Sequence, residues 1–346
     1  MAVSEEQVAL RNGLRSLLSR EPDHTLWTRL CEMGVAGLTI PEDYGGLGAS
    51  RTDLHVVMAE LGQALRPVPL LGSAVLAAQA VLATGDEPAC RELLPGVAAG
   101  DTIAALAWTG PDGRWDPETV ACTAGPLSNV DWSVTGEAHY VLDGAAAGVL
   151  LVAARTGDGL GLFQVDPGQP TVHRAATPTM DESRNLATVR FAGARARRLG
   201  PAVLSPVRDL ACVALAAEQA GAARRCLELT VAYTRTRVQF GRPIGSFQAI
   251  KHRLADLHVL VETAESAALA AAATPAADLP LAAAVAKIHC AEALGTVAAE
   301  MIQLHGGIAI TWEHDAHRYF KRAHGSAQLF GAPAEHVARL SRSLTG

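Results

Sequence analysis

Trp132-Ser-Val-Thr-Gly-Glu-Ala-His-Tyr-Val-Leu-Asp-Gly144 decides how the rest of the chain is read. Two short β-rich runs, Trp132-Ser-Val and Tyr140-Val-Leu, stand beside two turn formers, Thr135-Gly-Glu and Leu142-Asp-Gly. That is the texture of short strands joined by turns. It continues in Val149-Leu-Leu-Val, Leu162-Phe-Gln-Val and Thr188-Val-Arg-Phe, with Thr156-Gly-Asp-Gly between two of them. Residues 101–199 are therefore expected to form an antiparallel β domain.

On either side the periodicity changes. Apolar residues recur every three or four positions in Val8-Leu14-Leu17-Leu18, in Leu26 to Met33 and in Leu54 to Leu65, with a Pro/Gly-rich turn at Ile40-Pro-Glu-Asp-Tyr-Gly-Gly-Leu-Gly48. This predicts a helical domain over 1–100. Past Pro206 the chain reads as helical again, with long segments near 206–236, 246–273 and 278–305 and a shorter one near 313–329, so 200–346 is expected to be a helical bundle. The fold class is α+β and mainly α. Strands do not alternate with helices, and no GxGxxG follows a strand, which disfavours a doubly wound parallel sheet of the Rossmann kind.

Composition narrows the function classes. The chain has 346 residues, 49% hydrophobic and 18% charged, enough to bury substantial cores. A net charge of −6 argues against a phosphate-tracking, nucleic-acid-binding protein. The six cysteines are scattered, without CxxC pairs or metal-ligand spacing, and read as reduced core thiols. The N-terminal stretch is charged and amphipathic, and runs such as Ala267 to Ala273 are too short to span a bilayer, so the reading is a cytoplasmic protein with no membrane span. No metal site is expected: Glu313-His-Asp315 with His317 reads as a helix start capped by Thr311.

Four segments carry a resemblance. They are Tyr233-Thr-Arg-Thr-Arg-Val-Gln-Phe-Gly-Arg-Pro-Ile-Gly-Ser-Phe-Gln-Ala-Ile-Lys-His252, Ile302-Gln-Leu-His-Gly-Gly-Ile-Ala-Ile-Thr-Trp-Glu-His314, the Gly34–Gly48 turn and Thr135–Gly144. In kind and order they resemble the acyl-CoA dehydrogenase family over nearly the whole chain. The chemistry is intelligible by itself. A pyrophosphate calls for a guanidinium with neighbouring donors, as Arg237 and Gln239 beside Phe240-Gly241 could supply, and Gly306-Gly307 with Gln303 lets a backbone approach a ligand.

What the resemblance implies is an FAD enzyme acting on acyl-CoA thioesters, a homo- or hetero-oligomer, with an electron-transferring flavoprotein as acceptor. Arg237, Gln239, Phe240, Gln303, Gly306 and Gly307 would hold the adenine and pyrophosphate half of an FAD bound mainly by another subunit. In Leu106-Ala-Trp-Thr-Gly-Pro-Asp112, Thr109 would lie near the flavin pyrimidine. Tyr140 falls where the family usually has a tryptophan against the flavin. Leu142 falls where it usually has a threonine bonded to flavin N5, a bond leucine cannot donate.

The catalytic base is displaced. Most members carry a glutamate 23 residues past the second glycine of the Gly-Gly pair, which here is Phe330; a minority carry it at the position of Ala211. Glu218, on nearly the same helical face as Ala211, is the candidate that remains, ahead of Asp209 and Glu313. Short members of the family that act on steroid or other bulky acyl-CoA substrates pair two different subunits in a heterotetramer, one of which can lack the base. Three readings follow: an acyl-CoA dehydrogenase performing α,β-dehydrogenation alone or with a partner, a non-catalytic subunit completing a partner's FAD site, or a related flavin oxidase or monooxygenase.

Overall fold

The computed structural model describes residues 4–128 and 130–345. The first three residues of the amphipathic N-terminal stretch lie outside them. In chain order the elements are α1 (Glu5–Arg20), α2 (Asp23–Glu32), α3 (Arg51–Ala64), a π-helical segment Leu70–Ala77 running into α4 (Ala78–Leu82), and α5 (Glu87–Ala99). Strands follow: β1 (Ala104–Ala107), β2 (Thr123–Pro126), β3 (Asp131–Leu142), β4 (Val149–Thr156), β5 (Gly159–Val165), β6 (Val172–Ala176) and β7 (Leu186–Pro201). Then come α6 (Leu204–Thr236), the short pair β8 (Val238–Gln239) and β9 (Arg242–Pro243), α7 (Gln248–Ala273), α8 (Leu279–His305), α9 (Ala316–Gln328) and α10 (Pro333–Thr345). The fold class is α+β and mainly helical. Two compact units divide the chain: Met1–Ser19, His55–Arg66 and Cys212–Gly346 form one, Arg20–Leu54 and Pro67–Ala211 the other.

In the second unit seven strands form one sheet, and the pairings β4–β2–β3–β7–β5–β4 close on themselves around a core that includes Val134, Val152, Phe163 and Phe191. The sheet is antiparallel except where β4 runs parallel to β1 and, for one pair, to β2. Thr135-Gly-Glu does not turn the chain. β3 passes straight through it, with register shifts at Val134/Thr135 and Ala138/Val141. Gly136 has φ +135°, and a Cβ there would meet the Cys122 Cα at 2.8 Å. The glycine serves a bulge and a close backbone approach, which sequence punctuation does not distinguish from a turn. Against this sheet the π-helical segment, wholly buried, is fastened by Ser73 Oγ, which accepts from the Ala104 N–H of β1 at 3.0 Å. α5 starts on Asp86, whose carboxylate accepts from the Ala89 N–H, and stops at Gly100 with φ +79°.

In the first unit α3 and α6 cross with their backbones in contact. A Cβ at Gly62 would lie 2.0 Å from the Glu218 carbonyl oxygen, and one at Gly221 2.0 Å from that of Ala59. Only glycine fits at either place. α7, α8 and α9 pack around Leu257, Val261, Leu294, Val297, Met301 and Tyr319. α8 with its flanking turns, Ala276–Ile310, is long and apolar enough to cross a membrane by length and composition, yet 56% of that window is buried inside the protein. Its fully buried Lys287 donates to the carbonyls of Ser326 (3.3 Å) and Ala327 (2.9 Å), tying off the end of α9. Thr311 does not cap a helix. Its hydroxyl donates back to the Ile308 carbonyl, while α9 starts at Ala316, whose N–H bonds the His314 ring.

Candidate functional site

The site residues fall into two groups, one in each unit. In the helical unit, α6 ends at Thr236, and the Arg237 N–H closes its last turn on the Tyr233 carbonyl (2.8 Å). The chain then reverses through the two-residue hairpin β8–β9, tipped by Phe240 (φ +52°) and Gly241 (φ +75°). Positive φ at both tip residues is the primed turn that suits tight hairpins, and a phenylalanine there is strained. Phe240 is also 92% exposed, and its ring meets Phe247 edge-on at 6.1 Å. A strained, exposed aromatic gains little from its own chain and is placed to meet something outside it. Arg237, Gln239 and Gln303 are exposed as well, and none has a side-chain bond among the described residues.

α8 stops at His305 because Gly306 takes φ +65°, and Gly307 follows in a short 3-10 turn, Gly306–Ile310. A Cβ on either glycine would meet nothing within 4 Å. The chain's own packing thus gives no reason for glycine at Gly307, whereas close approach by a ligand does. Behind the turn, the His305 ring lies between those of Tyr233 (4.3 Å, stacked) and His314 (4.4 Å). Neither Tyr233 nor His305 was among the expected site residues. Their signal in the sequence was only proximity to Arg237 and to the glycine pair.

In the sheet unit, β1 leads into Trp108 and Thr109, both buried. The Thr109 carbonyl accepts from the His139 N–H at 2.8 Å, but the Thr109 hydroxyl and the Trp108 indole N–H have no partner among the described residues. Buried polar atoms are rarely left unbonded, so this pair is suited to a bound group. Tyr140 is 37% exposed, with φ +54°, and lies against Gly113. Leu142, at the position expected beside flavin N5, has no side-chain donor to offer there. It is 3% exposed, and a Cβ at Gly72 of the π-helical segment would touch its Cβ at 2.8 Å, so it is an interior residue there.

The three base positions hold no free carboxylate. Phe330 is fully buried at φ +60°, on the elbow between α9 and α10. Its carbonyl accepts from His336 Nε2 at 3.0 Å. Ala211 is fully buried in the other unit. Glu218, the expected base, is committed elsewhere: its carboxylate accepts from the Arg322 guanidinium, and both residues are about 5% exposed or less. Neutralised by a buried partner and held beneath α3, it is built as half of an internal ion pair. Asp209 is buried beside Arg208 (3.5 Å), and Glu313 is exposed. Among the described residues no group of three or more His, Cys, Asp or Glu side chains could hold a metal ion.

This chain matches the family descriptions "Acyl-CoA dehydrogenase, N-terminal domain" over residues 4–101 and "Acyl-CoA dehydrogenase, C-terminal domain" over residues 209–345. Acyl-CoA dehydrogenase IpdE2 of Mycolicibacterium smegmatis is 43% identical over 333 residues, 96% of this chain and 91% of that protein. The IpdE2 protein of Mycobacterium tuberculosis is 41% identical over 357 residues, 98% of each. Of solved structures, the ChsE4-ChsE5 complex from Mycobacterium tuberculosis is similar at 29% identity and a TM-score of 0.90, and a variant of the Tcur3481-Tcur3483 steroid ACAD at 32% and 0.87; each alignment covers 99% of this chain and 98% of the other. The chain belongs to the acyl-CoA dehydrogenase family. It is therefore a flavoprotein oxidoreductase whose cofactor is FAD, and the unbonded Thr109 hydroxyl and the open glycine turn fit that group.

Proposed function

We propose that this chain is one subunit of a heteromeric acyl-CoA dehydrogenase, contributing to the flavin site while a homologous partner chain supplies the carboxylate that takes the α proton of the thioester. The carrying observation is position 330. The elbow has left-handed backbone at Phe330 and Gly331, but its side chain is an interior phenyl ring, and the carboxylate of the candidate Glu218 is bound to Arg322.

FAD supplies the acceptor for the β hydrogen, which leaves as hydride. This chain's residues bind and orient. Arg237 meets the pyrophosphate with a charge-assisted bond, and Gln239 and Gln303 add side-chain amides beside it. Phe240 would offer an apolar face to the adenine side, and the open Gly306-Gly307 turn would let backbone N–H groups approach the bound group. In its own sheet, Thr109 offers a hydroxyl to the pyrimidine edge and Tyr140 a partly exposed ring, while Leu142 keeps the strand packed behind them. The thioester is bulky, a steroid-derived acyl group being the favoured class, since the relatives of similar length include a steroid ACAD of two named chains. Electrons pass on to an electron-transferring flavoprotein in the cytoplasm, and the domain limits are 1–100, 101–199 and 200–346.

The test is anaerobic mixing of the purified chain, with and without the homologous partner, against straight-chain and steroid-derived acyl-CoA thioesters. Flavin should bleach only when the partner is present, and Glu218→Gln should leave the rate within about twofold. A chain reduced without a partner, and slowed by the roughly 10²–10⁴ that a general base contributes when Glu218→Gln is made, would be a self-sufficient enzyme instead.

A further inference from the structure

We infer that Tyr233 and His305 are positioning residues of the dinucleotide site, a strut holding the Gly306-Gly307 turn in register with Arg237; this rests on the reading of those segments proposed above. The two segments are far apart in sequence, and each glycine of the turn has open space where a side chain would be. Something else must fix where the turn stands relative to the end of α6. Tyr233 reaches both. Its carbonyl accepts from the Arg237 N–H (2.8 Å), its hydroxyl donates to the His305 carbonyl (3.2 Å), and its ring stacks on the His305 imidazole with centroids 4.3 Å apart.

The imidazole is itself held. His305 Nδ1 lies 2.8 Å from the Met301 carbonyl, which can only accept, so Nδ1 carries a proton, and the buried Nε2 has no partner among the described residues. Burial keeps the ring in its neutral form, below the usual histidine range, and the nearby His314 acts the same way. The other ring contact is His314, whose Nδ1 accepts from the Ala316 N–H at the start of α9. The line Tyr233, His305, His314 thus joins the end of α6, the end of α8 and the beginning of α9 through rings and backbone.

The test uses the full chain in the assembly that purifies with flavin, comparing FAD dissociation constants from titration of the apoprotein with apoprotein melting. His305→Ala and Tyr233→Ala should weaken FAD about tenfold or more, and Tyr233→Phe, which keeps the stack but loses the hydroxyl, about threefold. His305→Phe keeps the stack and should stay within about twofold of the parent, with melting of both phenylalanine variants unchanged. Arg237→Ala is the control. If it loses flavin while both alanine variants bind within about twofold of the parent, the strut is wrong; so too if His305→Phe is as poor as His305→Ala. If Arg237→Ala itself binds as the parent does, the reading of the site fails instead. Should the alanine variants not fold, His305→Leu, which keeps apolar volume without the stacked ring, takes their place and should show the same loss.

Discussion

In the interior of the helical unit polar side chains find partners: His336 bonds the Phe330 carbonyl, Arg322 bonds Glu218, Gln219 Nε2 bonds Ser326 and Lys287 ties the end of α9, although Gln219 Oε1 has no partner among the described residues. Around Arg237 and Gly307, in the same unit, the side chains of Arg237, Gln239 and Gln303 face outward and have no side-chain bond among the described residues. The first region has become core and the second has stayed a surface. Position 330 carries left-handed backbone and a buried phenyl ring rather than an exposed polar group. Core and surface are told apart by whether the side chains are committed within the chain.

That contrast breaks first at the buried pair. Arg322→Ala should cost about 3–5 kcal/mol of stability by leaving Glu218 charged and unpaired in the interior, measured by denaturant unfolding. A loss below about 1 kcal/mol would mean that the pair is wetter and more surface-like than its burial implies. Phe330→Ala should cost a similar ~3–5 kcal/mol, as removal of a fully buried aromatic does, and should restore no activity.

Lys287 sharpens the contrast through pH. Burial lowers its pKa from 10.5 to about 8, so between those values the unfolded chain holds a proton that the folded chain has released. Stability from this group should rise with pH across that window. Thermal melts of Lys287→Met should lack that part of the slope, and an identical slope in both proteins would place Lys287 in water. On the surface side the expected stability effect is smallest. Arg237→Ala should change unfolding by no more than about 0.5 kcal/mol. Flavin retention on gel filtration should nevertheless fall, as loss of a charge-assisted bond of about 1.5–3 kcal/mol requires.

The helices of the C-terminal half were legible because their apolar period and their breaks, such as Thr274-Pro-Ala-Ala-Asp-Leu-Pro280, are local signals: the expected 206–236 and 278–305 correspond to Leu204–Thr236 and Leu279–His305. α10 was not expected, although Val337, Leu340 and Leu344 recur at helical spacing, because Gly331 and Pro333 punctuate the chain just before it and so few apolar positions follow. Thr135-Gly-Glu misled because the need for glycine at Gly136 comes from Cys122, just before β2. The site followed the same rule. Arg237, Phe240 and the glycine pair lie inside contiguous motifs, whereas the commitment of Glu218 to Arg322 and the stack of Tyr233 on His305 join residues 104 and 72 positions apart.

The hairpin tip has one more consequence. The positive φ of Phe240 is imposed by a two-residue loop and a register fixed by Val238↔Pro243, so the ring is presented before any other surface arrives. Association through it spends little on ordering a loop, and preformed contacts of this kind lengthen residence more than they speed encounter. Newly made chains nevertheless carry that bare ring in water until they assemble. Synthesis in step with whatever covers it would shorten the interval in which two such tips can meet each other.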